Sequence, residues 1–362
     1  LDKIVPGYYY RYTEGGDLAN GTGVGNDTAS ERQMMHKLIV DSVSYWAKEY
    51  HWDGFRFDLM GIHDVKTMNA VKQATKRIDP SILVFGEGWS LGTPLPDSEK
   101  ANQTNTKQMP GIGHFNDNLR DALKGSVFID SDAGFINGTT GLETRIKRGI
   151  VGEIAYDKDI QGFTQEPDQA ITYVEAHDNH TLWDKLNLTN PQDSDATKTK
   201  MHRLASSILL TSQGTTFIHA GQDFMRTKGG DHNSYKSPDS VNQLDWKRKM
   251  DRQQDVDYMT GLIALRKKNP VLHLATAKDI RRYVTFEAAP AQVIAYRLDD
   301  AAPQQKDDLY VIHNANRTTV DMKLPKGKWK LLVDGKQSGT KAIRTVSGTV
   351  RVEGLSSFVL AK

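Results

Sequence analysis

The chain of 362 residues contains no cysteine. That absence removes disulfides, thiolate nucleophiles, zinc ribbons and iron–sulfur clusters together. It leaves the compartment open, because many secreted proteins manage without disulfides. Long apolar runs are missing too, and nothing approaches the ~18 residues that a membrane helix needs. Neither sign of charge dominates: 47 Lys and Arg balance 45 Asp and Glu to +2. Such a chain lacks the electrostatic footprint of a nucleic-acid or anionic-membrane binder. It shows no internal repeat and no low-complexity tract. Leu1-Asp2-Lys3 carries neither an initiator Met nor a signal peptide, so a processed, nicked or partial chain is expected.

What is present is an ordinary globular composition, 38% hydrophobic and 25% charged, long enough for two or three domains. Two textures divide it. From about 29 to 270, helical patterns alternate with short apolar runs. Thr28-Ala-Ser-Glu31 has capping-box spacing, and Met34, Met35, Leu38, Ile39, Val43 and Trp46 follow at helical intervals. Strands are expected at 53–58, 82–85, 171–174 and 215–218, with helices over 64–78 and roughly 197–212 between them. Continuous apolar strands joined by helices indicate a parallel sheet covered on both faces. From about 279, short runs separated by Gly, Pro and Asp indicate an antiparallel sandwich. The domains expected are therefore 1–277 and 278–362.

Carboxylates gather where apolar strands end. Asp58 closes one strand, Glu87 follows the next after a single Gly, and Asp178 lies four residues beyond Val174. One helix separates the first two strands, which makes them a βαβ unit with both acids on the C-terminal rim, where such sheets place active sites. Three acids on one rim suit glycoside hydrolysis. One attacks the anomeric carbon, a second protonates the leaving oxygen, and a third holds sugar hydroxyls.

The segments Asp53-Gly-Phe-Arg-Phe-Asp58, Phe85-Gly-Glu-Gly-Trp89 and Val174-Glu-Ala-His-Asp-Asn179 resemble the second, third and fourth conserved regions of the α-amylase superfamily. Gly25-Asn-Asp-Thr-Ala-Ser-Glu31, His177–Asp184, His219–Lys228 and Asp231–Trp246 narrow the likeness to the type I pullulanases, glycoside hydrolases of family 13. The resemblance implies Asp58 as nucleophile, Glu87 as general acid and base, and Asp178 as stabiliser of the distorted sugar. It implies Arg56 beside Asp58, with His177 and Asn179 among the sugar ligands. Trp89, Trp183 and Tyr235 are candidate stacking platforms. A retaining mechanism would place the Asp58 and Glu87 carboxyls about 5–5.5 Å apart.

By the same resemblance the fold is an α/β, incomplete (β/α)8 TIM barrel carrying the later βα units, followed by an antiparallel β-sandwich domain. The first conserved region, an Asp and an Asn-His pair, should precede residue 1. A companion N-terminal polypeptide segment completing the barrel is therefore expected. The substrate class is an α-glucan with 1,6 links, such as pullulan, branched starch or glycogen. An isoamylase-like or α-1,4-acting relative and a non-catalytic glucan-binding fragment stay open. So does localisation, with a secreted or cell-surface site favoured over the cytoplasm. No cofactor is required on this reading; a structural Ca²⁺ is the one ion it leaves open. His177, His180, Asp178 and Asp184 read better as sugar ligands than as a metal cluster. Asp231, Asn233, Asp239 and Asn242 read as loop formers rather than Ca²⁺ ligands.

Overall fold

Apolar residues recur at helical spacing after residue 33, and in the computed structural model, which describes residues 1–362, Gln33–Tyr50 is helix α1. His51 ends it in the left-handed conformation, φ 55°, with its N–H bonded to Trp46 O. The expected capping box does not form. Arg32 occupies the N-cap position without a side-chain bond. Glu31 pairs instead with Arg11, whose guanidinium is 3% exposed, at 2.7 Å. A buried cation leaves a larger penalty unpaired than a solvated helix end does.

The chain forms two units, residues 1–115 with 163–171, and residues 116–162 with 172–362. In the first, β1 (Gly54–Phe57), β2 (Leu83–Gly86), β3 (Gly113–Phe115) and the first two residues of β4 (Ala170–Thr172) pair in parallel, in that order. Helix α2 (Val65–Ile78) crosses between β1 and β2. Asp64 caps it by accepting from Thr67 N at 2.8 Å, and Asp79-Pro80 stops it. Its apolar face, Met68 and Val71, joins Val43, Phe55, Val84 and Ile112 in one buried cluster. Strand β3 lies where the sequence marks a strand only weakly.

The second unit holds α3 (Asp117–Lys124), α4 (Glu143–Ile150), α5 (Leu182–Thr189), α6 (Asp195–Thr211), the two-residue strand β5 (Thr215–Thr216), α7 (Asp239–Asn242), α8 (Trp246–Asp251), α9 (Gln253–Lys268) and α10 (Ala277–Tyr283). The expected strand at 215–218 is shorter than its apolar run. Phe217 N nevertheless reaches Thr172 O at 2.9 Å.

Eight antiparallel strands follow: β6 (Val284–Glu287), β7 (Val293–Leu298), β8 (Leu309–Asn314), β9 (Val320–Lys323), β10 (Trp329–Val333), β11 (Arg344–Val346), β12 (Thr349–Val352) and β13 (Ser356–Ala361). Six form a sheet in the order β11-β10-β13-β8-β7-β6, and β12 pairs with β9 as a separate ribbon. Alternation sorts the side chains between two cores. Ala295, Ile312, Phe358 and Leu360 pack with Met322, Val350 and Val352 of the ribbon. Ile294, Tyr296, Val311 and Val359 join Leu204, Ile208, Leu262 and Leu265 of α6 and α9. The β domain is therefore a lopsided sandwich, with a ribbon as its second layer. The sheets and helices are those of a partial parallel barrel followed by an antiparallel domain.

Glu153 lies fully buried in the second unit, with Arg148 Nε at 3.1 Å. Burial is the chief cause that pushes its carboxyl from 4.5 up to about 7, against the pull of Arg148. A raised folded-state value means the folded protein binds the extra proton, so stability falls as pH rises from about 4.5 to 7. The loss is on the order of 3 kcal/mol. Glu153→Gln should therefore flatten the pH dependence and be the more stable variant at pH 8, as read by urea unfolding at pH 5 and 8. An unchanged slope would assign that pH dependence to other groups.

Candidate active site

Arg56 and Asp58 are two residues apart and project to one side of the extended chain. β2 runs beside β1 in register, Arg56 opposite Phe85 and Phe57 opposite Gly86. The ladder continues one step further, with Glu87 N bonded to Phe57 O at 3.2 Å. Glu87 thereby leaves its strand next to Asp58. One guanidinium spans both acids: Arg56 Nη1 is 2.5 Å from Asp58 Oδ1, and Nη2 is 2.9 Å from Glu87 Oε1. The second oxygen of Glu87 accepts from Leu59 N at 2.7 Å. Asp58 is 73% exposed and Glu87 12%. The nucleophile candidate thus faces solvent and the acid candidate sits in the wall.

The turn after Asp58 is constrained. Leu59 adopts φ 43°, a left-handed conformation that is uncommon for a leucine. Gly61 N then bonds to Glu87 O at 2.9 Å, and a Cβ at Gly61 would stand 1.9 Å from Trp89 O. The segments 57–61 and 86–89 interlock so closely that the side chain at 61 has no room. Trp89 is half-buried beside them.

In the second unit His177 and Asp178 project from a loop after Tyr173-Val174, both more than 60% exposed, with His177 Nε2 3.7 Å from Asp178 Oδ1. Asn179 turns the loop at φ 63°, which asparagine tolerates better than most residues. Thr181 caps α5 by accepting from Asp184 N at 3.1 Å. The Asp184 carboxylate is occupied by Lys228 N at 2.8 Å and by the Thr227 hydroxyl. It ties two loops together and is 2% exposed. His180, also buried, bonds Gly230 O through Nε2 at 3.0 Å.

Residues 280–337 match the family model described as the all-beta domain of pullulanase. The chain is 46% identical over 363 residues to pullulanase of Bacillus subtilis strain 168, covering 99% of this chain and 50% of that protein. The chain belongs to the type I pullulanase family. Pullulanase 1, chloroplastic, of Arabidopsis thaliana is 34% identical over 299 residues, 68% of this chain and 31% of that one. The crystal structure of Paenibacillus barengoltzii pullulanase in complex with maltohexaose and α-cyclodextrin matches with TM-score 0.95 at 49% identity, covering 99% of this chain and 55% of that chain. The chain thus spans about half the length of these bacterial relatives.

Trp183, one of the candidate stacking platforms, does not present an open face. It is 5% exposed, and Arg252, Arg248 and Lys198 stand 4.8, 5.3 and 5.6 Å from its ring. Three cations around an indole make it a structural cation–π centre. Tyr235 is 72% exposed, on a short turn, with Lys236 Nζ 5.1 Å from the ring. The side chains of Asp231 and Asn242 bond within their own segment. Asp231 accepts from Ser237 and Asn233, and Asn242 Nδ2 donates to Ser234 O and Ser237 O.

Two histidines beside the acids went unremarked in the sequence. His63 is half-buried, and desolvation is the main cause holding its pKa at about 4. His114 is also buried, and its ring fits only because residue 88 is glycine: a Cβ there would lie 2.1 Å from Nδ1. Burial holds its pKa at about 3. The Gly after Glu87 was the only available signal.

Proposed function

We propose that a protein carrying this chain hydrolyses α-1,6-glucosidic links in pullulan, amylopectin or related branched α-glucans by a retaining double displacement. One observation carries the reading: a single guanidinium, Arg56, bridges Asp58 and Glu87 at the ends of adjacent parallel strands. Asp58 attacks the anomeric carbon, oriented by the Arg56 guanidinium that holds its Oδ1. Glu87 protonates the departing oxygen and then takes the proton of the incoming water. Asp178, with His177 beside it, stabilises the distorted sugar, a role taken from the family likeness. Two relatives bearing the name pullulanase support the 1,6 preference. The proposal includes a further polypeptide segment completing the barrel, because the relatives are about twice as long. It also sets the end of the catalytic part at 277.

The test is reducing sugar released from pullulan, with maltotriose as the product. Glu87→Gln should lose roughly 10²–10⁴-fold on pullulan. It should recover most of that loss on an aryl glucoside with a good leaving group, since only proton donation is missing. Absence of rescue would move the acid role elsewhere, and products cut at α-1,4 links would overturn the debranching assignment.

A further inference from the structure

The loop bearing His177 and Asp178 is fastened at its base by one buried carboxylate. Glu175, 1% exposed, accepts the N–H of Leu182 on Oε2 at 2.5 Å, closing the loop onto the first turn of α5. Its Oε1 lies 3.0 Å from His219 Nδ1. On the far side of the ring, Arg226 Nη1 stands 3.3 Å from Nε2. A guanidinium has no lone pair and only donates, so Nε2 is the acceptor. The ring proton is then on Nδ1, and His219 donates it to Glu175. Arg226 is itself held by Asn242 O at 2.5 Å and Ala220 O at 3.3 Å. The relay therefore has one direction and one tautomer.

Two buried lysines hold the same loop through its carbonyls. Lys228 Nζ donates to His177 O at 2.9 Å, and Lys124 Nζ donates to His180 O at 3.3 Å. With Leu182 N on Glu175, three backbone groups in and just after this short loop end on buried side chains, two of them from distant segments. The loop's own side chains, His177 and Asp178, remain largely free in solvent.

We propose that Glu175, oriented by His219 in the neutral Nδ1–H tautomer that Arg226 imposes, is the positioning residue for the His177–Asp178 loop. The functional consequence rests on the role given to Asp178 above. Glu175 touches no substrate; it acts by keeping Asp178 where the distorted sugar needs it. A misplacement of about 1 Å at such a group costs on the order of 10²-fold in rate.

Two substitutions at His219 separate positioning from mere packing. His219→Asn keeps an N–H donor where Nδ1–H stands, whereas His219→Leu removes it. His219→Leu should lower kcat on pullulan by about 10²-fold with KM within a few-fold, and His219→Asn should restore most of kcat. Amide exchange at residues 176–182, read without substrate, should be about tenfold faster in the leucine variant alone. The ¹⁵N side-chain spectrum should show the His219 proton on Nδ1. A proton on Nε2, or equal exchange in all three proteins, would overturn the proposal. A wild-type protein inactive on pullulan, with exchange still separating the variants, would sink the functional reading while upholding the fastening of the loop.

Discussion

Asp58→Asn should abolish turnover, with a loss on the order of 10⁴-fold or more, while the fold survives. The amide is isosteric with the carboxylate, so Arg56 Nη1 can still reach a carbonyl oxygen at the position where it now meets Oδ1 at 2.5 Å. Asp58 is 73% exposed, so little packing is at stake. What disappears is the negative charge proposed to attack the anomeric carbon, and no neighbouring group replaces it. Glu87 cannot take over. Its two oxygens are committed to Arg56 Nη2 and Leu59 N, and the same group must deliver the proton. Steady-state release of maltotriose beside a thermal melt is the measurement. Residual activity above a few per cent, with an unchanged melt, would place the nucleophile elsewhere.

A chain ending at residue 277 should aggregate. The six-stranded sheet buries Ile294, Tyr296, Leu309, Val311 and Val359 to full depth, in one cluster with Leu204, Ile208, Leu262 and Leu265. Removing the sheet uncovers those four helix residues, at roughly 1.5–3 kcal/mol per large apolar side chain. Together that is about 6–12 kcal/mol, comparable with the about 5–15 kcal/mol by which a typical domain is stable. Polar links are lost as well: Tyr296 to Thr211 O at 3.1 Å, Tyr258 to Asp334 O at 3.0 Å and Arg203 to Gly335 O at 3.2 Å. Light scattering and dye binding to exposed apolar surface would register the effect. A monomeric truncation with a cooperative melt near that of the intact chain would show that the β domain is only tethered.

Much of the fold was legible because periodicity is a local property. Helix α2 could be read from Val65, Met68, Val71 and Ile78, and its bounds from Asp64 and Asp79-Pro80, all within one short stretch. The change of texture near 279 announced the antiparallel domain that begins at Val284. The capping box at 28–31 misled because its glutamate had a second suitor, Arg11, twenty residues away. The strand at 215–218 was overextended because an apolar run does not say how many of its residues find a partner. The ribbon of β9 and β12 joined a core of its own, which no pattern of alternation inside either strand could reveal.

The candidate site divides in the same way. The sequence by itself determined that Asp58 and Glu87 close successive strands of one βαβ unit, because a strand's end and the residue beyond it are local facts. It also marked Asp178 at the end of a third strand. Only the tertiary structure decided that one guanidinium serves both Asp58 and Glu87, that Trp183 is enclosed by three cations, and that Glu175 is answered by His219. Each of those outcomes is a choice of partner for a polar or aromatic group with several candidates along the chain. Which candidate wins depends on burial: desolvation raises the penalty for a wrong or missing partner. Burial in turn is set by segments far apart in sequence, and it exists only once they have packed.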